Sequence, residues 1–271
     1  MQILVLGMHR SGTSLVTRLI NLMGAHIGPA EVMLKHTVDN PTGFWERMDV
    51  LRANVEILKS QRCNWYRLHD WDTSHITPPP ISRDIMQRVL AEMNRHSVWV
   101  MKDPRMCLTL PAWLPHLSHP VAVIASRHPL EVAHSLQLRN DIPPRYGLAL
   151  WEHYAVHLIR NAHSLPRIFC DYNTILQNPL EQTRLLCDQL SANSPLLMLP
   201  SADDIKAFIK PAMKKATQEH GALSDHHQIL HAMLQGTTNW QPDIEISSKS
   251  QQVIEELGPT LFRYGNILRA E

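Results

Sequence analysis

The sequence predicts an α/β fold of three layers, a central parallel sheet between helices as in P-loop proteins. Three observations point there. Ile3-Leu4-Val5-Leu6 is a short apolar run that reads as a buried parallel strand, and it enters the loop Gly7-Met8-His9-Arg10-Ser11-Gly12-Thr13-Ser14. Strand-like runs then alternate with amphipathic stretches at least four times. A length of 271 residues with 44% hydrophobic content suits one large domain over residues 1–271.

The elements follow in chain order. Leu15, Val16, Leu19, Ile20, Leu22 and Met23 recur at helical spacing up to Gly24, a natural stop for a first helix. Asn40-Pro41-Thr42-Gly43 is a turn signal, after which Phe44 and Trp45 are expected to tack a loop to the body while Glu46 presents a carboxylate. Met48, Leu51, Val55 and Leu58 mark the next helix. Residues 62–80, rich in Trp, His and Asp, read as a surface excursion lining an acceptor pocket. Ser82 is expected to cap the helix that carries Ile85, Met86, Val89, Leu90 and Met93.

Residues 98–101 form a second buried strand with Lys102-Asp103-Pro104-Arg105 at its carboxyl end, where parallel sheets place their ligands. Residues 121–125 form a third, followed by Ser126-Arg127-His128-Pro129 and a helix through Val132, Ser135 and Leu136. A long helix over 145–164 precedes a fourth strand over 167–170, which runs into Asp171-Tyr172. Asn178-Pro179 starts a further helix, and Ser201 with Asp204 resembles a capping box. Lys210, Lys214 and Lys215 form a short basic cluster.

Composition excludes several classes. With 26 basic and 25 acidic residues the net charge is +1, so no general attraction to nucleic acid or anionic membrane follows. No apolar stretch approaches the ~20 residues of a membrane span. The start of the chain lacks a signal-peptide pattern, and the four scattered cysteines read as buried thiols, so a cytoplasmic protein is expected. Of seventeen histidines, His153 with His157 and the group His226, His227 and His231 are spaced for helix faces. No Cys or carboxylate completes a zinc pattern around them, so solvated faces and no metal are expected.

The chemistry lies in the first loop. Strand, glycine-bounded loop and helix N-terminus make an anion site, because loop N–H groups converge and the helix dipole adds positive charge. The frame is G-x-x-x-x-G, yet Thr13 stands where a nucleotide triphosphatase carries lysine, and Arg10 supplies a cation inside the loop. A phosphoryl-transfer enzyme needs that lysine, a Mg²⁺ ligand and a strand-end Asp. Here the strand 121–125 ends in Ser-Arg. A sulfuryl donor, with less charge on the group transferred, is better met by loop amides, Arg10 and Lys102 without metal.

The loop resembles the 5′-phosphosulfate loop of sulfotransferases that use 3′-phosphoadenosine 5′-phosphosulfate (PAPS). Arg127, with Pro129 between it and Ser135 eight residues on, is similar to their 3′-phosphate motif. Lys102-Asp103-Pro104 resembles a segment of the tyrosylprotein branch. His9-Arg10-Ser11-Gly12-Thr13, Asn40-Pro-x-Gly-Phe-Trp-Glu46 and Lys102-Asp-Pro-Arg105 together resemble bacterial family members, over about residues 1–190. The resemblance implies that Ser11, Gly12, Thr13 and Ser14 hold the phosphosulfate while Arg10 neutralises its bridge and His9 orients it. It implies that Arg127 and Ser135 grip the 3′-phosphate, with Tyr172 in the nucleotide pocket, and that Lys102 stabilises the leaving phosphate; for His9 the alternative is that it points away from the donor.

An acceptor hydroxyl needs a base within hydrogen-bond reach. Glu31, twenty-one residues after Arg10, and Glu46 are equal candidates, with His36 behind them. The reading is a PAPS-dependent sulfotransferase acting on a carbohydrate or small hydroxylated metabolite. The alternatives are a P-loop kinase of nucleosides or small molecules, and a non-catalytic nucleotide-binding protein.

Overall fold

The computed structural model describes residues 1–35, 43–72, 76–192, 194–209 and 221–261. Its centre is a sheet of four parallel strands: β1 (Gln2–Leu6), β2 (Trp99–Lys102), β3 (Pro120–Ser126) and β4 (Arg167–Asp171), in the order β2-β1-β3-β4. Leu4 is in register with Met101 on one side and Ala122 on the other, and Ala122 with Arg167 beyond. The chain leaves β1 for β2 on one side and then crosses to β3 on the other. The carboxyl ends of β1 and β3 therefore flank the point where the winding reverses, which is where such sheets open a crevice.

Both faces of the sheet are covered, which is why the centres of β1, β2 and β3 are continuous apolar runs, while the edge strand β4 alternates in burial. Ile3, Val5, Val100, Val123 and Cys170 face α1 (Thr13–Leu22), α8 (Pro179–Ser191) and α9 (Ala202–Phe208). Leu4, Leu6, Met101, Ala122 and Ile124 face the larger layer. That layer holds α2 (Met48–Ser60), α3 (Pro80–Met93), α4 (Met106–Trp113), α5 (Pro129–Asn140), α6 (Pro144–Ala162), α10 (Asp225–Gln235) and α11 (Ser248–Leu261). The short α7 (Tyr172–Gln177) follows β4 directly, its first turn capped by Asp171, whose side chain accepts from Thr174 N.

Helix α6 is the buried spine of that layer and packs on α4, α5, α10 and α11. Its Glu152, fully buried, accepts from Ser247 N and Oγ and from Ser250 Oγ, and pairs with His227 Nε2 at 2.9 Å and His226 Nε2 at 3.3 Å. Burial opposes charge there, but these donors overcome it and hold the carboxyl down at about 2. One carboxylate thus pins the start of α11 and of α10 to the spine.

Four readings of the sequence need correction. Ser82 is not a cap: Pro79 precedes α3, Pro80 opens it, and Ser82 is buried in its first turn, donating to Ala53 O. Residues 62–72 are not a surface excursion, because Trp65, Tyr66, Leu68 and Trp71 are buried core. Tyr154 and Tyr146 of α6 donate to the carbonyls of Trp65 and Tyr66 and fix the segment there. His153 and His157 lie on the buried side of α6, 6% and 4% exposed, not on a solvated face. Finally, His227 of α10 is buried instead of solvated, and α4, α7 and α11 were not foreseen as elements, α4 because it is apolar all round and contains Pro111. The basic cluster Lys210, Lys214 and Lys215 lies outside the described residues. No helix is long and apolar enough to cross a membrane among the described residues. Cys63, Cys107, Cys170 and Cys187 are buried free thiols.

Candidate active site

The first loop sits where β1 ends against β3. A β-carbon on Gly7 would lie 2.4 Å from Ala125 O, so this glycine permits the close approach of the two strands. Arg10 takes a left-handed backbone with φ 71°, and Gly12 follows at φ 87°. Strain of that kind is retained where a loop must aim its amides, here into the N-terminus of α1 at Thr13. Ser11 and Thr13 are buried in the turn. A β-carbon on Gly12 would lie 2.5 Å from Tyr172 Cδ2, so the tyrosine ring lies directly against the loop.

On that side four predicted residues come together. Arg10 donates Nε–H to Ser135 Oγ at 2.9 Å, and Ser135 therefore faces the loop from the second turn of α5. Arg127 donates Nη1–H to the carbonyl of Arg10 at 3.3 Å and Nε–H to Glu131 at 2.7 Å. Its guanidinium lies over the Tyr172 ring, 4.7 Å from the centroid. Glu131 is in turn held by Asn173 Nδ2 at 3.1 Å. Neither Glu131 nor Asn173 was singled out from sequence; Glu131's place in the first turn of α5, four residues after Arg127, was the available signal.

On the other side lies Lys102, the last residue of β2, with a fully buried side chain. Its ammonium pairs with Glu46 Oε1 and donates to Ser14 Oγ at 3.3 Å. Burial pulls the Lys102 pKa below its ordinary value, while Glu46 and Asp103 act to raise it. Ser14 donates to the carbonyl of Phe44 at 3.0 Å, tying the segment that carries Glu46 to the start of α1. Trp45 adopts a left-handed backbone, φ 55°, and its ring packs on Arg18, whose guanidinium carbon is 4.4 Å from the centroid. The two aromatics do anchor the segment, but Glu46 is buried against Lys102 instead of being presented to solvent.

Glu31 is exposed in a short 3-10 turn, Ala30–Val32, so Glu46 and not Glu31 is the carboxylate paired with Lys102. His36 and the Asn40-Pro41-Thr42 part of the turn lie outside the described residues. Asp103 works as a scaffold: it accepts from Asn54 Nδ2 at 3.0 Å, Arg105 N at 2.9 Å and Arg105 Nη1 at 3.2 Å. Asn54 also accepts from Thr109 and Trp113, so the strand end is braced from α2 and α4.

His9 lies between these halves, its ring 4.6 Å from Trp65 and 5.8 Å from Tyr154 by centroids. Burial, and then the positive charges of Arg105, Lys102, Arg139 and Arg10, lower its pKa well below the ordinary value. It is a neutral imidazole at pH 7, and its buried Nε2 makes no hydrogen bond among the described residues.

The crevice therefore offers loop amides and a hydroxyl, a cationic wall of Arg10 and Arg127, and a buried Lys–Glu pair beside the helix N-terminus. Such a site suits a ligand with two separated anionic groups. The Tyr172 ring closes this side, lying against Gly12 and under the Arg127 guanidinium. A scan of protein-family models gives no match to the chain, and a search of curated proteins gives none. Among solved structures, the chain is similar to the sulfotransferase domain from the curacin biosynthetic pathway, with 16% identity over 94% of this chain and 96% of that one, TM-score 0.44. It is also similar to the sulfotransferase domain of the Synechococcus PCC 7002 olefin synthase, with 15% identity over 94% of each chain, TM-score 0.41.

Proposed function

We propose that this chain is a sulfotransferase that moves a sulfuryl group from PAPS to the hydroxyl of a small-molecule or carbohydrate acceptor, releasing 3′,5′-ADP. The observation that carries the reading is the placement of two cationic stations on opposite sides of one lysine-free loop, Arg127 with Ser135 and Lys102 with Glu46. The donor supplies an activated sulfuryl group on a phosphate leaving group. Loop amides from Ser11 to Ser14 and the α1 dipole hold its 5′ end. Arg127 and Ser135 hold its 3′-phosphate, for which a guanidinium offers bidentate hydrogen bonds.

Glu46 is the base. It takes the acceptor hydroxyl proton as the new O–S bond forms and the S–O bond to the phosphate breaks. Protonating Glu46 weakens its hold on Lys102, whose ammonium then turns its charge to the phosphate oxygen that leaves. The proton ends on Glu46 and the negative charge on 3′,5′-ADP, close to Lys102 and Ser14.

A kinase would place the Ser14 hydroxyl on Mg²⁺. Here that hydroxyl accepts from the Lys102 ammonium, an environment for an anion. A thermal-shift titration tests the two readings. Stabilisation by 3′,5′-ADP without metal supports the proposal; stabilisation by Mg²⁺-ATP and none by 3′,5′-ADP would overturn it.

A further inference from the structure

At the other end of β2, away from the loop, three residues distant in sequence meet. His26 follows α1 and is bound into the sheet margin by its backbone, accepting from Val100 N at 2.8 Å and donating to Val98 O at 3.0 Å. Glu92 lies in the last turn of α3, and His96 follows it by four residues in the turn beyond. The two imidazoles stack with centroids 3.5 Å apart and planes at 11°. Glu92 Oε1 is 2.8 Å from His26 Nε2. One ligand atom from each of the three residues lies within 4.8 Å of the other two.

We infer that His26, Glu92 and His96 form a binding site for a divalent transition cation of the zinc type, remote from the crevice and independent of the reading above. The donor set is two imidazoles and one carboxylate, which suits a borderline ion and leaves further positions to water. In a tetrahedral zinc site neighbouring donors are about 3.3 Å apart, given bonds of about 2.0 Å, so the two rings would swing out of their stack to aim both nitrogens at one ion. Two features favour a cation in particular. The site lies at the C-terminal end of a 14-residue helix, where the dipole is negative. The second is orientation: Arg47, shared between two carboxylates, places Nε and Nη2 on Asp49 at 3.0 and 2.9 Å and Nη1 on Oε2 of Glu92 and on Met93 Sδ. Arg47 thereby orients the carboxylate with Oε1 turned to the imidazoles, the outer-shell arrangement that fixes a metal ligand.

An ion here would staple the end of α3 to the margin of β2 and to the chain leaving α1. Equilibrium dialysis of the intact chain against Zn²⁺, with bound metal quantified by elemental analysis, tests it. The wild type is expected to hold one equivalent, with an unfolding midpoint that rises on Zn²⁺ addition and falls back with chelator. His96 is exposed, so His96→Ala folds as the wild type does in chelator; it is expected to weaken zinc binding at least tenfold. Glu92→Gln is expected to do the same. Absence of saturable binding, or one equivalent retained with equal affinity in His96→Ala, would overturn the inference.

Discussion

Arg10, held in a left-handed conformation inside the loop, donates to the hydroxyl of Ser135 at 2.9 Å across 125 residues of chain. Arg127 closes the same corner by bonding the Arg10 carbonyl. The loop backbone, the start of α5 and the strand end of β3 are thus joined at one corner. Arg127→Ala removes charge-assisted bonds worth roughly 1.5–3 kcal/mol each, so 3′,5′-ADP should bind at least tenfold more weakly. Binding of 5′-AMP should change much less. Isothermal calorimetry with both nucleotides checks this, and equal weakening of the two would refute the 3′-phosphate assignment. Ser135→Ala should show the same selectivity at about fivefold, for a single hydrogen bond of about 1 kcal/mol.

Glu46 and Lys102 should separate chemistry from binding. Glu46→Gln keeps the shape and removes the base, so turnover should fall about 10²–10⁴-fold while affinity for 3′,5′-ADP stays within a few-fold. Glu31→Gln should leave turnover near wild type, since Glu31 is exposed and Glu46 holds the lysine. Steady-state sulfate transfer decides; a large loss in Glu31→Gln with none in Glu46→Gln would reverse the two.

Gly12→Ala tests the tyrosine cradle. The new methyl would press on the Tyr172 ring at 2.5 Å, and the left-handed backbone adds a cost of about 1–2 kcal/mol. A drop in the unfolding midpoint and loss of nucleotide binding are expected. In Gly12→Ala/Tyr172→Ala the steric part is relieved, so stability should partly return; a double variant no better than Gly12→Ala alone would show that the ring does not rest on the loop.

Acid should unfold the protein earlier than its surface charges suggest. Burial pulls His153 down to about 4; burial, with the neighbouring His153 and Arg160 charges, pulls His157 down to about 3, both from 6.5. The unfolded chain binds those protons first, so the stability of the neutral pair is complete above pH 6.5 and is lost as pH falls toward 3–4. Together the pair is worth on the order of 8 kcal/mol over that window. Glu152, held at about 2 against an ordinary 4.5, adds roughly 3 kcal/mol that is present above pH 4.5 and lost as pH falls toward 2. Denaturant unfolding at a series of pH values should show stability declining from just below pH 6.5, with a shallower decline in His157→Gln. A flat profile between pH 6.5 and 5 would contradict the buried neutral pair.

The fold was largely legible because its strands are short and mainly apolar, with polar residues only at their ends. Val5, Val100 and Val123 announce themselves by hydrophobicity alone. The spacing of Arg127 and Ser135 was readable, since helical geometry obliges the serine to face the loop. What sequence could not show was pairing across distance. Nothing local says that Lys102 takes Glu46 instead of Glu31, because the choice depends on a left-handed turn at Trp45. Nor does local pattern reveal His26 beside His96, which a strand margin and a helix end bring together. The buried histidines and Trp65 were misread for one reason: polar tips hide how much ring surface a residue buries. Helix α4 escaped because periodicity vanishes when every side is covered.

Glu46 and Arg47 are consecutive, yet one pairs with Lys102 and the other with Glu92 and Asp49. The backbone between them is extended, Arg47 lying at φ −85° and ψ 130°, so neighbouring side chains point to opposite sides. A deletion or insertion of one residue between Gly43 and Met48 would exchange them. It would set a guanidinium against the Lys102 ammonium and a carboxylate against Glu92, turning two attractive contacts into two repulsive ones. The length of this short connection is therefore fixed in parity by charge as well as by shape, and point substitutions in it should be tolerated far better by the fold than insertion or deletion of a single residue.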